Sequence, residues 1–231
     1  MTVTTAVFES HLKYLKENGF LVIPLKQLID CYLGKGPLPQ PKSVVIVADD
    51  GHASVYQYML PLVMKYHVPV TLFLYPSAIS NASYAMTWDQ LRDLKKTGLF
   101  DFEGHTYWHP NFKRDQKRMS PSEYDSFVNM QLVKSKAKLE KELGVPITML
   151  AWPFGIYDAR LLEKAGTAGY EATFSIEARP ATESDAVMNL PRYLLTNAVS
   201  GRAFEKIVEC STGKSNPVFA GSPGRSDSRI R

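Results

Sequence analysis

Two adjacent carboxylates, Asp49 and Asp50, precede Gly51 and directly follow the apolar run Ser43–Ala48. Neighbouring carboxylates repel each other, so keeping both ionised requires a cation or hydrogen bonds close by. The apolar run is typical of a strand buried on both faces, and α/β barrels place their catalytic groups at the C-terminal ends of such strands. The pair is therefore a candidate catalytic or metal-binding site. An ordinary turn is the alternative, because Asp-Asp-Gly is also favoured in turns.

Two histidines, His105 and His109, follow a second predicted strand at Leu99–Glu103. If this segment forms a helical turn, residues four apart lie on one face, a common spacing for two imidazoles on one metal ion. An exposed helix face is the alternative for an isolated pair. Together with Asp50 the pair supplies two nitrogen ligands and one oxygen ligand and leaves a position for water. Ligand number and type favour Zn²⁺, and Co²⁺, Ni²⁺, Mn²⁺ or Fe²⁺ also fit such a site.

These candidate residues require strands that end near one another. Apolar runs predict strands at 43–48, 68–75, 99–103, 148–152 and 170–175. Amphipathic patterns predict helices at about 5–18, 54–66, 87–97, 120–143 and 157–168. Capping sequences mark the starts of the third and fourth helices, at Thr87 and Ser120. Repeated strand–helix units predict a parallel sheet, either closed as a barrel or open and doubly wound. A (β/α) barrel normally opens with a strand, whereas the first element here is a helix.

The composition is that of a soluble globular protein of one domain. The chain has 231 residues, of which 45% are hydrophobic and 22% charged, and this excludes wholesale disorder. Two cysteines are too few for a disulfide framework or for a cysteine-based zinc site. No run approaches the roughly 18 apolar residues that a membrane span requires, and the opening residues lack the apolar core of a signal peptide.

The end of the chain differs from the rest. Residues 211–231 are rich in Gly, Ser and Pro and show no apolar period, so we expect a globular domain over 1–210 followed by a flexible tail. The tail also carries most of the net charge of +4. A protein that binds nucleic acid needs a basic face on its folded body, and the remaining charge is too small to indicate one. We therefore expect no nucleic-acid partner.

Three sequence motifs occur in the same order as in a known family. Val47-Ala-Asp-Asp-Gly51 resembles the T-F-D-D-G motif of the polysaccharide deacetylases (NodB-homology domain, carbohydrate esterase family 4). His105-Thr-Tyr-Trp-His109 resembles their H-[ST]-x-x-H motif. Ala151-Trp-Pro-Phe-Gly155, which alone would indicate only core aromatics before a turn, resembles their R-x-P-[YF]-G motif. Its Trp-Pro-Phe-Gly run is similar to the branch that contains the poly-β-1,6-N-acetylglucosamine deacetylases of biofilm matrix systems (PgaB and IcaB type).

The resemblance implies a role for each residue of these motifs. Asp49 would be the general base that takes a proton from water. The metal ligands would be Asp50, His105 and His109. The backbone N–H of Phe154 would bind the oxyanion together with the metal.

Five further residues are implied to lie at or near the site. Trp108 and Trp152 would stack on sugar rings or pack beside the groove. Arg192 would orient groups of the site, with a surface ion pair as the alternative. His52 would line the site or replace a missing acid, and Glu103 would support the site or be an ordinary charge at a strand end.

Two departures from the family pattern bear on the mechanism. Most members have an arginine that orients the base where this chain has Ala151, and the resembling branch also tends to lack it there. The family's general acid is a histidine in a late leucine-x-histidine motif, and no histidine follows His109. In the resembling branch that histidine lies in a Tyr-His motif on an N-terminal strand. We therefore expect this strand and the acid to be missing from the N-terminal end of the sequence.

The resemblance implies a distorted, seven-stranded (β/α) barrel that lacks an N-terminal strand. The implied reaction is metal-dependent hydrolysis of N-acetyl groups on an N-acetylglucosamine-containing polysaccharide, with release of acetate. Such substrates lie outside the cytoplasm, so we expect a secreted, periplasmic or cell-surface protein. One alternative is a carbohydrate-binding protein with weak or no activity, because the acid histidine is missing. Another is an amidohydrolase for a small amide, which the same three ligands would serve.

Overall fold

Seven short strands and eight α-helices form the part of the chain that the structure, a computed structural model, describes: residues 3–210. The predicted tail at 211–231 lies outside the described residues. The strands are β1 (Leu21–Val22), β2 (Ser43–Val44), β3 (Val47–Asp49), β4 (Val70–Leu74), β5 (Phe100–Gly104), β6 (Met149–Ala151) and β7 (Ala172–Phe174). The helices are α1 (Thr5–Glu17), α2 (Leu25–Tyr32), α3 (Leu60–Tyr66), α4 (Trp88–Lys96), α5 (Phe112–Gln116), α6 (Pro121–Leu143), α7 (Ala159–Thr167) and α8 (Arg202–Cys210).

The strands are parallel and curl into a half-barrel. Strands β3 to β7 lie side by side in the order of the sequence, and β1 pairs with β2 in a separate parallel ribbon. The longest pairing joins β4 to β5, with Val70 opposite Phe100 and Leu74 opposite Gly104. The predicted α/β fold with a distorted, barrel-like parallel sheet is therefore confirmed, and the first described element is a helix, as the sequence indicates.

The predicted strand at 43–48 is divided in two. Its first part, β2, pairs with β1, and its second part, β3, pairs with β4. Val45 and Ile46 lie between them and carry the chain from the small ribbon to the main sheet. Side chains in this segment are half-buried rather than buried on both faces, which corrects the expectation. An apolar run indicates burial but does not show which neighbouring strand each residue pairs with.

Strand β4, the second of the five strands in the main sheet, separates two apolar clusters. On one face, Leu72 belongs to a cluster with Leu91 of α4 and Leu132 of α6. On the other face, Phe73 belongs to a cluster with Ile29 of α2. Because both faces are covered, β4 is a continuous apolar run in the sequence. In such a sheet, functional groups collect where the strands end, at their carboxyl edge.

Both predicted helix starts are present as capping boxes. The side chain of Thr87 accepts a hydrogen bond from the backbone of Gln90, whose side chain accepts one from the backbone of Thr87. Ser120 and Glu123 form the same arrangement at the start of α6. This helix ends 23 residues later at Gly144, which adopts the left-handed conformation with a φ of 62°. The cap of α6 lies on the connection that follows β5, so it fixes an element close to the two histidines.

Strand β1 and helices α2, α5 and α8 are additions to the predicted pattern. Helix α2 begins after Pro24, and α8 packs against α1. The ring of His11 in α1 stacks on Phe204 of α8 at a centroid distance of 3.9 Å, and its Nε2 lies 2.7 Å from the carbonyl oxygen of Val199. His11 is thus a structural residue. Within residues 3–210, none of the helices has the length and apolar content needed to cross a membrane.

Candidate metal centre

The turn after β3 places two carboxylates at the carboxyl edge of the sheet. Asp49 is the last residue of β3, and the chain turns through Asp50 and Gly51, which have left-handed φ angles of 74° and 68°. This conformation costs a residue other than glycine roughly 1 kcal/mol or more. A Cβ atom on Gly51 would lie only 2.8 Å from the side chain of Ile79. The left-handed turn therefore sets the positions of the two carboxylates, and close packing against Ile79 holds the turn in place.

The two histidines approach each other through a loop rather than a helical turn. His105 follows β5, and its N–H donates to the carbonyl of Leu74 at 2.8 Å. The chain then bends at Thr106 and His109, which adopt φ angles of 64° and 60°. The two imidazole centroids are 4.8 Å apart. The predicted helical turn is therefore wrong. The two rings come together because the backbone adopts left-handed conformations at Thr106 and His109.

Asp50, His105 and His109 form one cluster of potential metal ligands, called here the ligand cluster. The Nε2 atoms of His105 and His109 lie 3.5 and 3.6 Å from Oδ1 of Asp50. The three ligand atoms are all within 4.8 Å of one another. Separations of 3.5 Å are long for hydrogen bonds. They match two ligands of one tetrahedral ion, which lie about 3.3–3.6 Å apart when each metal bond is about 2.0–2.2 Å.

Two further observations fit a cation at the ligand cluster. Asp50 Oδ1 is buried and accepts no hydrogen bond from the described residues, so a cation would compensate it. His105 Nδ1 lies 2.7 Å from the carbonyl oxygen of Ala151, to which it donates. This hydrogen bond keeps the proton on Nδ1 and leaves the Nε2 lone pair facing Asp50. Two imidazole nitrogens and one carboxylate oxygen suit Zn²⁺ and other divalent ions of the first transition row.

The protonation state of His109 also suits metal binding. Burial lowers the pKa of this imidazole, and the neighbouring His105 lowers it further, against the opposing charges of Asp50 and Asp49. A lowered pKa keeps the ring neutral at neutral pH. Only the neutral ring has a lone pair for a cation.

Arg192 holds Asp49 in a bidentate ion pair. Its Nη1 and Nη2 atoms donate to the two carboxylate oxygens at 2.9 and 3.1 Å, and its Nε donates to the carbonyl of Ser175 at 3.1 Å. The guanidinium also lies 5.1 Å from the ring centroid of Phe73 and 5.9 Å from that of Phe174. Burial raises the pKa of Asp49, but Arg192 and the two histidines outweigh it, so the net pKa is lowered. Of the two alternatives for Arg192, its contact with the predicted base favours the orienting role.

Phe154 lies beside the ligand cluster on the turn that follows β6. Its φ is 57°, and its ring meets the ring of His109 edge-on at a centroid distance of 4.6 Å. The two backbone hydrogen bonds of this turn use the N–H groups of Gly155 and Ile156. The residue predicted to supply an oxyanion donor therefore lies next to a potential metal ligand.

Trp108 and His52 lie at the exposed rim of the site. Trp108 exposes 47% of its surface, and its ring is 5.8 Å from that of Phe127. His52 is exposed, and its ring stacks on Tyr84 at 6.0 Å. The Nδ1 atom of His52 lies 2.8 Å from the hydroxyl of Ser54. Both predicted rim residues are thus accessible from solvent.

Trp152 does not reach this rim. Its side chain is fully buried, and its Nε1 donates to Oγ1 of Thr173 at 3.0 Å. Its ring packs edge-on against Phe112 at a centroid distance of 5.8 Å. A buried ring has no free face for a sugar, so the expected stacking role is wrong for Trp152, which is a core residue. The third motif therefore marks a segment of the chain that lies near the site, but the side chain of Trp152 does not itself reach the rim.

Glu103 links two strands below the histidine loop. It is buried, and its Oε2 accepts hydrogen bonds from the backbone N–H groups of Thr148 and Met149 at 2.9 and 2.7 Å. Glu103 is therefore more than an ordinary charge at a strand end, because it bridges β5 to the start of β6.

The residues that hold the histidine loop were not identified from the sequence. Oε1 of Gln131 in α6 accepts hydrogen bonds from the N–H groups of Tyr107 and Trp108 at 3.0 and 3.1 Å. The hydroxyl of Ser135, also in α6, donates to the carbonyl of Thr106 at 2.8 Å. The two polar residues lie four apart on the buried face of the helix, and this spacing is the signal that could have indicated them.

Tyr75 was also missed. It directly follows β4, and its ring lies 5.4 Å from the ring of His109 and 6.4 Å from that of His105. Its hydroxyl is hydrogen-bonded to the hydroxyl of Tyr84. Its position in the sequence could have indicated it: Tyr75 stands at the end of a predicted buried strand, and functional groups collect at this carboxyl edge of a parallel sheet.

Comparison with known proteins identifies the family of this chain. The sequence profile of the polysaccharide deacetylase family matches residues 37–173. The poly-beta-1,6-N-acetyl-D-glucosamine N-deacetylase of Staphylococcus aureus (strain MRSA252) is 27% identical over 212 residues, which cover 90% of this chain and 71% of the relative. The protein of the same name from Staphylococcus epidermidis is 28% identical over 212 residues, with the same coverage.

Solved structures share the fold. IcaB from Ammonifex degensii matches with a TM-score of 0.76 and 20% identity, over 92% of this chain and 91% of that one. The deacetylase PplD of Streptococcus pyogenes, solved in complex with acetate, matches with a TM-score of 0.78 and 20% identity, over 89% and 87%. The matched profile spans more than half of the sequence, including the two carboxylates and both histidines. The chain belongs to the polysaccharide deacetylase family.

Proposed function

We propose that this protein removes N-acetyl groups from a β-1,6-linked N-acetylglucosamine polymer with the help of a divalent metal ion. Family membership makes it a hydrolase of N-acetyl amide bonds. The staphylococcal relatives are named for that polymer, which supports the choice of substrate. The structural observation that carries the proposal is the carboxylate of Asp49, which Arg192 holds beside the ligand cluster.

The ligand cluster is the proposed seat of the ion. A bound divalent ion supplies a Lewis acid that polarises the acetamide carbonyl and acidifies water. The atoms that would contact it are Oδ1 of Asp50 and the Nε2 atoms of His105 and His109. Zn²⁺ fits this donor set, and Co²⁺, Ni²⁺, Mn²⁺ and Fe²⁺ are the other candidates.

Asp49 is the proposed general base. It takes a proton from the attacking water as the water oxygen forms a bond to the acetamide carbon. Arg192 bonds both carboxylate oxygens and lowers the pKa of Asp49, so that the proton acceptor is present at neutral pH. When the C–N bond breaks, the proton held by Asp49 passes to the amine nitrogen, and the acetic acid that leaves releases the second water proton to solvent and becomes acetate. This route balances the reaction within the described site.

Phe154 is the proposed backbone donor to the oxyanion. Its left-handed conformation sets the direction of its peptide groups, and its ring contacts His109. A backbone N–H that points at developing negative charge stabilises the transition state without reorganising. Since the donor is a main-chain atom, substitutions at this position act through the backbone conformation.

The open rim favours a polymer over a small amide. Trp108 exposes 47% of its surface and Phe154 exposes 55%, and both lie next to the metal ligands. Exposed aromatic rings can pack against the apolar faces of successive sugars, whereas a site for a small amide encloses most of its ligand. A polymer of this kind lies outside the cytoplasm, so we propose an extracytoplasmic location for this protein.

The test is release of acetate from acetylated β-1,6-glucosamine oligomers by Zn²⁺-loaded protein. Asp49→Asn should lower the rate by about 10²-fold or more, because it removes the proton acceptor. It should leave the metal content unchanged. Asp93→Asn is the matched control, because Asp93 pairs with Lys96 on the surface of α4. This variant should keep full activity.

Other outcomes separate the alternatives. Binding of oligomers without turnover would favour a carbohydrate-binding protein. Turnover of a small acetamide together with inert oligomers would favour an amidohydrolase. An Asp49→Asn variant as active as the wild type would contradict the assigned base.

A further inference from the structure

The two histidines of the ligand cluster are held in different ways. Nδ1 of His105 donates to the carbonyl oxygen of Ala151 at 2.7 Å, so a hydrogen bond fixes the direction of that ring. Among residues 3–210, no residue other than His109 itself forms a hydrogen bond with the ring of His109. The orientation of this second imidazole therefore depends on the side chains packed around it.

Three rings surround the imidazole of His109. The ring centroids of Phe154, His105 and Tyr75 lie 4.6, 4.8 and 5.4 Å from its own. Phe154 is 55% exposed, and His105 is itself a ligand, whereas Tyr75 is buried, with 8% of its surface exposed. Tyr75 is therefore the ring that the protein interior can hold in place against His109.

Tyr75 stands between the two segments that carry the ligands. It follows β4, which lies between β3 and β5 in the main sheet, and the ligands follow β3 and β5. A buried hydroxyl needs a hydrogen-bond partner, and the hydroxyl of Tyr75 is bonded to the hydroxyl of Tyr84. The position of the Tyr75 ring is thus fixed at its tip by Tyr84.

Tyr84 is attached to the turn that carries Asp50. Its carbonyl oxygen accepts a hydrogen bond from the N–H of Ala53 at 2.7 Å. Two residues further on, the N–H of Met86 donates to the carbonyl oxygen of Gly51 at 2.9 Å. These backbone bonds hold the segment of Tyr84 against the carboxylate turn.

We propose that Tyr75 and Tyr84 are positioning residues for the ligand cluster: their paired hydroxyls tie the ring that packs on His109 to the turn that carries Asp50. This inference rests on the proposed function, because it assumes a divalent ion at the ligand cluster. The pair sets the separation of two ligands that come from different segments before an ion binds. A ligand set ordered in advance binds more tightly, because less ordering is left to the binding step.

The experiment removes the two hydroxyls and keeps the rings. The variants are Tyr75→Phe, Tyr84→Phe and the double variant. Tyr66→Phe is the matched control, because it also removes a tyrosine hydroxyl with a side-chain partner, Glu9 of α1 at 3.1 Å. Three quantities are measured for each protein: the dissociation constant of Zn²⁺ in competition with a chelator, the visible absorption of the Co²⁺-loaded protein, and deacetylation kinetics on acetylated β-1,6-glucosamine oligomers at saturating Zn²⁺.

We expect each single variant to raise the dissociation constant of Zn²⁺ by about threefold or more, the effect of a lost partner behind a metal ligand. The Co²⁺ absorption bands should shift, because the arrangement of the ligands changes. At saturating Zn²⁺, kcat should fall while KM stays unchanged, since the pair acts on the ligands. The double variant should bind Zn²⁺ as the weaker single variant does, because the two hydroxyls form one link. Tyr66→Phe should match the wild type in all three measurements.

Wild-type Zn²⁺ affinity and an unshifted Co²⁺ spectrum in both single variants would overturn the proposal. Additive losses in the double variant would also overturn it, because Tyr84 would then not act through Tyr75. A higher KM at unchanged Zn²⁺ affinity would assign the hydroxyls to substrate contact instead. A wild type that binds Zn²⁺ and releases no acetate would contradict the deacetylase function, and the Zn²⁺ and Co²⁺ measurements would still decide on the pair. If the wild type binds no Zn²⁺, the metal-dependent function fails and the pair fails with it.

Discussion

Arg192 contacts the predicted base from a distant part of the chain. Most family members have an arginine where this chain has Ala151, and here Arg192 bonds both carboxylate oxygens of Asp49 instead. Its segment is placed by Leu190, which pairs with the end of β7 at Phe174. We therefore propose that Arg192 takes the place of the arginine that the third motif lacks.

Replacing Arg192 tests this role through the pH dependence of catalysis. Arg192→Ala should lower kcat/KM by about 10²-fold, because the base loses its orientation and its charge partner. The pKa of Asp49 should rise, since burial is then less opposed. The acidic limb of the pH–rate profile should therefore move to higher pH. Arg192→Lys should be intermediate, because one ammonium group cannot match the bidentate geometry.

The measurement for Arg192 is the pH profile of kcat/KM at equal metal content. Arg114→Ala is a suitable control, because Arg114 is exposed and its one ion pair within residues 3–210 is with the adjacent Asp115 in α5. An acidic limb that stays in place in Arg192→Ala would contradict the assignment.

Glu103 makes the stability of the fold depend on pH. Burial raises the pKa of Glu103 to about 8 from an ordinary value of 4.5, and the two backbone donors of Thr148 and Met149 only partly oppose this. Between these two pH values the folded protein keeps the proton that the unfolded chain releases. The contribution of Glu103 to stability therefore falls as the pH rises through this window.

Glu103→Gln should remove this pH dependence, because glutamine keeps an acceptor oxygen and has no charge to bury. In the wild type, this group should lower the free energy of unfolding by up to about 1.4 kcal/mol per pH unit in the window. Urea unfolding across the window measures the slope. Below this window, where Glu103 is protonated, Glu103→Ala should be less stable than the wild type by about 1–3 kcal/mol because it loses the acceptor, and this difference should shrink as the pH rises through the window. A glutamine variant with the slope of the wild type would refute the explanation.

Helix α6 shapes the loop that carries both histidines. Thr106 and His109 adopt left-handed conformations that are unfavourable for their residue types. Such angles persist only when surrounding contacts determine them, and Gln131 and Ser135 of α6 supply those contacts. Helix α6 thus contributes to the apolar core and also holds the loop that carries His105 and His109 in its conformation.

Gln131→Met should weaken both the fold and the binding of metal. The variant leaves the partly buried N–H groups of Tyr107 and Trp108 without their acceptor, which costs about 1–3 kcal/mol. The loosened loop should also lower the affinity for Zn²⁺. Asn129→Met, at an exposed position of the same helix, should change stability by less than about 0.5 kcal/mol. Thermal unfolding and Zn²⁺ titration of the two variants test this, and equal Zn²⁺ affinities would show that α6 does not hold the loop.

Metal binding should be coupled to the stability of the whole domain. The ligands come from the end of β3 and from the loop after β5, so they come together only in the folded chain. An ion at about a hundred times its dissociation constant should then stabilise the fold by about 2.7 kcal/mol.

Thermal unfolding with and without Zn²⁺ measures this coupling. The melting temperature should rise with Zn²⁺ and fall back on chelation. Asp50→Asn should largely lose the response, whereas Asp93→Asn should keep it, because Asp93 pairs with Lys96 away from the cluster. A Zn²⁺ response of equal size in Asp50→Asn would place the ion elsewhere.

The sequence by itself determined the features that depend on neighbours along the chain. Apolar runs and helical periods placed most strands and helices, and the capping boxes at Thr87 and Ser120 are where their sequences predicted. The three ordered motifs identified the family, which the sequence profile confirms. Local spacing carries this information, because backbone hydrogen bonds, caps and turns are made between residues a few positions apart.

Only the tertiary structure decided the contacts between distant segments. The ion pair of Arg192 with Asp49 joins residues 143 positions apart, and the apolar run at 43–48 had to be divided between two sheets. The burial of Trp152 and the hydrogen bonds from Gln131 likewise depend on which face of an element meets its neighbour. The physical reason is that an apolar or polar residue type fixes whether a side chain is buried, while packing of the whole domain fixes what it touches.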